Sequence, residues 1–232
     1  MMNKEELLEL YREFGDDAQK ALDFVVKNSP VLKIGDHVPA ADEGGKIIFK
    51  PEVAEKPEDG IYIIFRNGQY KPFEKDAAFN KDDVKYIGVV YDGHSFAIAL
   101  KDLGEFQLVK DGVKCPSYHP LYHDTECEAL IDWDCTERTK HIQELGTDIE
   151  LPDGEYIPSL PMLVVMRAWA KKINEILEFV GGEPFDMDSY YWSCTEGSSR
   201  VAWNVNFSSG LVSYYSKYGT TYVVRPVAAF NL

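Results

Sequence analysis

Four residues spaced by four, Cys115, His119, His123 and Cys127, form the chain's closest approach to a metal-ligand pattern. On a helix they would share one face and offer two thiolates and two imidazoles, a set that suits zinc. Pro116 and Pro120 interrupt any such helix, because proline removes a backbone donor and clashes with the preceding turn. The spacing therefore reads as incidental to a loop, and no metal is expected. Cys194 sits in Trp192-Ser193-Cys194-Thr195-Glu196, and all five histidines lie upstream of it. A nucleophilic thiol needs a positioned base and an electropositive setting, and the local sequence supplies neither. Asp132-Trp133-Asp134 pairs two carboxylates but lacks the further oxygen ligands of a calcium loop. Gly-rich phosphate loops, nucleophile elbows and HExxH strings are all missing. These residues lead to the expectation of a protein that is not an enzyme and carries no cofactor.

A different chemistry is concentrated at the C-terminal end. From Ser189 to Tyr222 most positions are Ser, Tyr, Gly, Asn or Thr, and only Glu196, Arg200 and Lys217 are charged. Tyr supplies large amphipathic contact area at low entropic cost, and Ser, Gly and Asn supply adaptable hydrogen bonds, as in antibody paratopes. Such a surface binds rather than catalyses.

The elements that must carry this segment are β. In Trp203-Asn204-Val205-Asn206-Phe207-Ser208 large apolar residues alternate with polar ones. Trp203, Val205 and Phe207 are expected to face a core, and Asn204, Asn206 and Ser208 to face out. Ser209-Gly210 turns the chain, and residues 222–230 form a closing strand whose Pro226 marks an edge or a strand end. Upstream, residues 161–180 form the clearest helix, with Ser159 as N-cap, Pro161 in the first turn and Gly181-Gly182 as the stop. Residues 136–145 read as a second helix within the irregular stretch 104–155. Two hairpins precede it. One turns at Asn67-Gly68 and the other at Asp92-Gly93, both expected as type I′ connections. Residues 3–28 show a heptad seam (Leu7, Tyr11, Phe14, Ala18, Ala21, Val25), with Gly15-Asp16-Asp17 as an alternative break into two helices. The seam suits either packing on its own domain or homo-oligomerisation. The fold class expected is α+β, organised as an N-terminal helix or helix pair (1–29), a hairpin and loop module (30–84) and a ligand-binding domain (85–232).

The 232 residues suffice for a sizeable core, and a formal net charge of −15 argues against nucleic acid and anionic membrane as partners. No apolar run approaches membrane-span length, and the start MMNKEELLELYREFGDD lacks the basic, then apolar, pattern of a signal peptide. The expectation is a cytoplasmic protein before release, or a virion-associated one, with its four cysteines reduced.

Several strings occur in a telling order: YIPSLPMLVVM from Tyr156, NEILEFVGG from Asn174, YYWSCTE from Tyr190, AWNVNFSSG from Ala202 and YVVRPVAAF from Tyr222. Together they cover much of residues 85–232 and resemble the YWSSTE…AW.V.F..G…YVRPV pattern of Lcl C-terminal-like domains. Among C-type-lectin-fold proteins of bacteria and phages, the chain most resembles the variable proteins of diversity-generating retroelements from gut bacteria. The hairpins beginning at Gly60 and Lys85 resemble the segment before that domain. The resemblance implies a C-type lectin fold of antiparallel strands and one or two helices, and a hypervariable region at about 189–222. A reverse transcriptase rewrites adenines there, largely turning AAC codons into NNC. The varied, ligand-binding positions it implies are Cys194, Gly197, Ser198, Ser199, Arg200, Asn204, Asn206, Ser208, Leu211, Ser213, Tyr214, Tyr215, Ser216, Tyr218, Gly219, Thr220 and Thr221. Glu196, Trp203 and Lys217 cannot arise from NNC and belong to a fixed scaffold with Trp192, Val205 and Phe207. Tyr214, Tyr215 and Tyr218 are the expected hot spots. Cys194 stands where the pattern usually has Ser. The calcium tripeptide of sugar-binding lectins is replaced by Glu183-Pro184-Phe185, which puts calcium-dependent sugar binding in doubt. Formylglycine-generating oxidases share the broad fold, but the cysteine spacing gives no support for that chemistry. The ligand implied is a protein or glycan, with a phage receptor-binding role as one setting. The alternative is a structural or adhesin-like virion or surface component whose lectin-like domain is not diversified.

Overall fold

The computed structural model describes residues 37–41, 47–51, 57–75 and 79–231. The heptad seam at 3–28 lies outside the described residues. The chain divides into two units, Met1–Lys56 and Pro57–Leu232. In the first, β1 (His37–Ala41) pairs antiparallel with β2 (Ile47–Pro51).

The second unit is α+β, with two sheets and four helices among the described residues. Its first sheet has six strands in the order β4-β3-β5-β6-β13-β8, all antiparallel. They are β3 (Gly60–Phe65), β4 (Tyr70–Pro72), β5 (Val84–Tyr91), β6 (His94–Ala99), β8 (Glu155–Tyr156) and β13 (Val227–Ala229). Strand periodicity separates its two faces. Ile61, Ile63, Ile87, Val89, Phe96 and Ile98 enter the main core, while Tyr62, Ile64, Tyr86, Val90, Ala97 and Phe230 form a second cluster. Because β3 pairs along the length of β5, the boundary expected at 84/85 cuts through one sheet; the structure divides at 56/57 instead.

The second sheet has five strands in the order β11-β10-β9-β12-β7. They are β7 (Gly104–Phe106), β9 (Tyr190–Glu196), β10 (Val201–Asn206), β11 (Val212–Ser216) and β12 (Tyr222–Val224). Helices α1 (Glu126–Ile131), α2 (Thr136–Leu145), α3 (Leu160–Ala168) and α4 (Ala170–Val180) complete the unit. Leu163, Met166, Ile173 and Leu177 are fully buried in the main core.

Local chemistry explains most boundaries. At the second hairpin Asp92 (φ 48°) and Gly93 (φ 78°) both adopt left-handed backbone, as a type I′ turn requires. The first hairpin departs from expectation. Only Gly68 has positive φ there, and its N–H donates to the Phe65 carbonyl at 2.9 Å. The Asn67 carboxamide accepts from Gln69 N–H at 3.0 Å, an Asx interaction made with Asn67 at negative φ, which leaves Gly68 alone to take the left-handed turn position. The helix expected over 161–180 is two helices broken at Trp169 (φ −102°, ψ 9°), whose ring packs edge-on against Tyr91 at 5.7 Å. Gly181 (φ 78°) stops the second, as expected. Helix α2 keeps its expected bounds, with Asp134 Oδ1 accepting from the Thr136 and Glu137 backbone N–H groups. Ser159 takes the N-cap position of α3 without making a side-chain cap bond.

The closing segment serves both sheets. Tyr222–Val224 lies between β9 and β7, and after Arg225-Pro226 the chain enters the six-stranded sheet between β6 and β8. Pro226 thus marks a strand end. Arg225 is buried at this crossing: Nε donates to Asp102 Oδ1 (2.5 Å), Nη1 to the Ala99 carbonyl (3.1 Å) and Nη2 to the Glu183 carbonyl (2.9 Å).

Candidate ligand-binding site

Register decides which side chains of the Tyr/Ser segment share a face. Asn204 lies opposite Ser213 on β11 and Trp192 on β9; Asn206 lies opposite Tyr190, and Ala202 opposite Tyr215. Residues opposed across an antiparallel pair project to the same side. One face therefore carries Tyr190, Trp192, Asn206, Ser213 and Tyr215, joined by Tyr222 from β12. Tyr190 stacks on Tyr222 at 4.9 Å, and Tyr215 stands edge-on to Tyr190 (6.4 Å) and to Tyr222 (5.8 Å). The opposite face holds Trp203 against Tyr214, T-shaped at 5.2 Å.

The positions implied as varied fall into three groups. Arg200, Ser208, Leu211, Tyr214, Tyr215, Gly219 and Thr221 are exposed. Ser198, Ser199, Asn206, Ser213, Ser216, Tyr218 and Thr220 are half-buried. Cys194, Gly197 and Asn204 are buried, which removes them from a contact surface. Cys194 is on β9, an inner strand, with α2 and α3 packed against it, and burial pushes its thiol well up, away from the thiolate a nucleophile needs. A Cβ on Gly197 would stand 3.2 Å from Val201 Cγ2 and 3.4 Å from Trp203 Nε1, so a larger side chain lacks room. Asn204 was expected to face solvent by alternation, but its inner strand lies between Trp192 and Ser213. Its Oδ1 accepts from Ser213 Oγ at 2.9 Å, and its buried Nδ2 has no partner among the described residues.

The three expected hot spots are not brought together. Tyr214 and Tyr215 project from opposite faces of β11. The Tyr218 hydroxyl turns inward to Cys115 Sγ (2.8 Å) and the Ser199 carbonyl (3.3 Å), and burial with the Cys115 contact pushes it up to about 12. These residues line a cleft of about 310 Å³ with Asp111, Gly112 and Arg200. Tyr190 and Tyr222 were missed as members of the surface. The missing signal was strand pairing, since each is ordinary in its local pattern.

Beneath the surface lies a polar frame. Glu196 accepts from Lys217 Nζ through Oε1 and meets His141 Nδ1 through Oε2 at 2.5 Å; both charged side chains are fully buried. The His141 ring stacks on His119 at 4.0 Å, and burial together with that imidazole holds His119 below its ordinary value. Lys217 Nζ also sits 5.3 Å from the centre of the Tyr122 ring. Trp192 Nε1 donates to the Phe106 carbonyl (2.8 Å) and Trp203 Nε1 to the His123 carbonyl (2.9 Å). Val205 and Phe207 are fully buried. Thus Trp192, Trp203, Val205, Phe207 and Lys217 all occupy interior positions.

The evenly spaced Cys and His residues disperse to separate partners. Cys115 meets Tyr218, His119 stacks on His141, His123 Nε2 bonds Asp132 Oδ2 at 2.7 Å, and Cys127 is exposed on α1. Asp132 also accepts from buried Arg138. Burial raises this carboxyl, but hydrogen bonds from Arg138, His123 and the Asp134 backbone together bring it below the usual carboxylate value. The Asp132-Trp133-Asp134 loop thus anchors α1, α2 and the 119–123 segment. Among the described residues no helix is long and apolar enough to cross a membrane.

No family model matches the chain, and no curated protein does. Among solved structures it is similar to a fimbrial protein from Bacteroides ovatus, with a TM-score of 0.53 and 14% identity. The match covers 84% of this chain and 57% of that one, so the chain spans little more than half of its neighbour's length. At this identity the likeness concerns the fold.

Proposed function

We propose that the protein is a non-enzymatic ligand-binding protein that displays the β10–β11 edge of its five-stranded sheet on a C-type lectin scaffold. One observation carries this reading: Leu211, at the entry to β11, and Tyr214 and Tyr215 on it are large and 48–59% exposed beside a largely buried β10. Exposed aromatics on a rigid base are what an interface hot spot needs. Within residues 189–222, Glu196 and Lys217 pair in the interior and leave Arg200 as the charged side chain at the surface.

The test is a triple variant, Leu211→Ala with Tyr214→Ala and Tyr215→Ala, compared with wild type on a glycan array and on a displayed library of bacterial envelope proteins. Each anchor is worth roughly 2 kcal/mol, so binders of the wild type should be lost by well over about thirtyfold. Equal binding by a triple variant with an unchanged urea midpoint would sink the proposal.

Diversification belongs to the same proposal, now restricted to the fourteen of its seventeen positions that reach the surface. In the gene these positions should carry codons ending in C, and a near-copy with adenines should lie beside a reverse transcriptase gene. Mixed third bases would remove diversification. A second reading, an undiversified surface or adhesin-like component, is favoured by the fold likeness to a fimbrial protein. Codons that fail the first reading, with capture that survives, would select it.

A further inference from the structure

Among the described residues the two sheets of the second unit end in four edge strands, and three of them are protected. β4 is three residues long and carries Lys71 and Pro72, β7 is three residues with Glu105, and β8 is two residues with Glu155. Short length, charge and proline are the usual means of keeping an edge from pairing with another chain. β11 is five residues, Val-Ser-Tyr-Tyr-Ser, with neither charge nor proline. The order of the sheet leaves its outer side without a neighbour among the described residues.

The ladder specifies which backbone groups point outward. Asn206 N–H donates to the Leu211 carbonyl (2.9 Å) and Lys217 N–H to the Arg200 carbonyl (2.9 Å), and the register between them is unbroken. Antiparallel pairs alternate between hydrogen-bonded and non-hydrogen-bonded positions. Residues 211, 213, 215 and 217 therefore bond inward to β10, and Val212, Tyr214 and Ser216 turn their N–H and C=O groups to the open side. Tyr214 projects from one face of this edge, while Leu211 and Tyr215 project from the other. A rigid partner lying on one face would miss at least one of these three anchors. A partner that continues the sheet meets both.

We infer that β11 accepts an added strand, an extended and uncharged segment of a partner polypeptide. Its main chain pairs with Val212 and Tyr214, and its side chains alternate between the Tyr214 face and the Leu211–Tyr215 face. Charge favours a partner segment over a second copy of this chain, because a copy would bring a second net charge of −15 against the first. The inference rests on the binding reading above and adds the mode of recognition.

The full chain, immobilised, is panned against a displayed library of random linear peptides, and an enriched sequence is synthesised with N-methyl groups one residue at a time. N-methylation at alternate residues should weaken binding by about tenfold or more, and at the intervening residues should leave it unchanged. Tyr214→Pro, which removes an outward N–H, should weaken binding by a further tenfold or so beyond Tyr214→Ala. Should the proline variant not fold, the methylation pattern on wild-type protein decides alone. Absence of enriched peptides, or methylation effects without alternation, overturns the inference. A peptide lost on the triple alanine variant but indifferent to methylation leaves the binding surface standing and removes the added strand. A dimer in sedimentation that Tyr214→Pro abolishes would identify the occupant as a second copy and overturn the partner segment.

Discussion

Lys217→Met is expected to lower folding stability by about 3–5 kcal/mol, the usual cost of stripping one partner from a buried ion pair. Glu196 would keep its bond to His141 but lose the ammonium that neutralises it, in a site with no solvent access. A domain of this kind has a margin of about 5–15 kcal/mol, so the loss takes roughly a fifth of it or more. Glu196→Gln should also destabilise, because it leaves the ammonium buried against a neutral amide. The double variant should be markedly less unstable than the sum of the two, since it retains a neutral side chain for His141 and leaves no unpaired charge. Urea midpoints of the four proteins measure this. Strict additivity would show that the two charges do not act as one unit.

Arg225→Met is expected to cost a similar amount, about 3–5 kcal/mol, and to make stability depend on pH. Arg225 bonds Asp102 and the carbonyls of Ala99 and Glu183, and its guanidinium lies 4.8 Å from the centre of the Phe185 ring. Burial already raises the Asp102 carboxyl by more than Arg225 and Tyr191 lower it. Removing Arg225 raises it further. A carboxyl whose value is higher in the folded state binds its proton more tightly there. Its contribution is full below the unfolded value near ~4 and is lost as pH rises through the folded value. The variant should therefore recover part of its deficit between about pH 7 and pH 4, and Arg225→Met with Asp102→Asn should remove that recovery. Thermal midpoints across this range provide the check. A deficit that stays constant with pH would contradict the assignment.

Local signals carried the sequence reading where the cause was local. Asp92-Gly93 made its turn, residues 136–145 made their helix, and Gly181 stopped α4, because backbone preferences act within a few residues. The alternation of Trp203, Val205 and Phe207 identified three residues that are buried, for the same reason. The failures are non-local. Trp169 breaks a helix where its ring meets Tyr91, which lies on another element. Asn204 is polar at an outward-facing period, yet it is buried by the strands on either side. Codon logic implied that Glu196 and Lys217 were fixed, but only strand pairing and the position of α2 make Lys217 and His141 both partners of Glu196. The split of Tyr214 from Tyr215 follows from strand geometry and was available in principle. What the sequence lacked was the knowledge that their strand is an edge.

The crossing at Arg225-Pro226 also sets an order of events during synthesis. Strands β3 to β6 form local hairpins and can pair while the chain is still emerging. The six-stranded sheet stays without its β13 partner, and β9 without β12, until residues 222–229 have left the ribosome. Every residue of the Tyr/Ser segment is made before that closure. The nascent protein thus passes through an interval in which its most aromatic strands are synthesised but unsewn, the stage at which chains aggregate or recruit chaperones. A substitution in that segment therefore acts on the chain during this interval as well as on the finished surface.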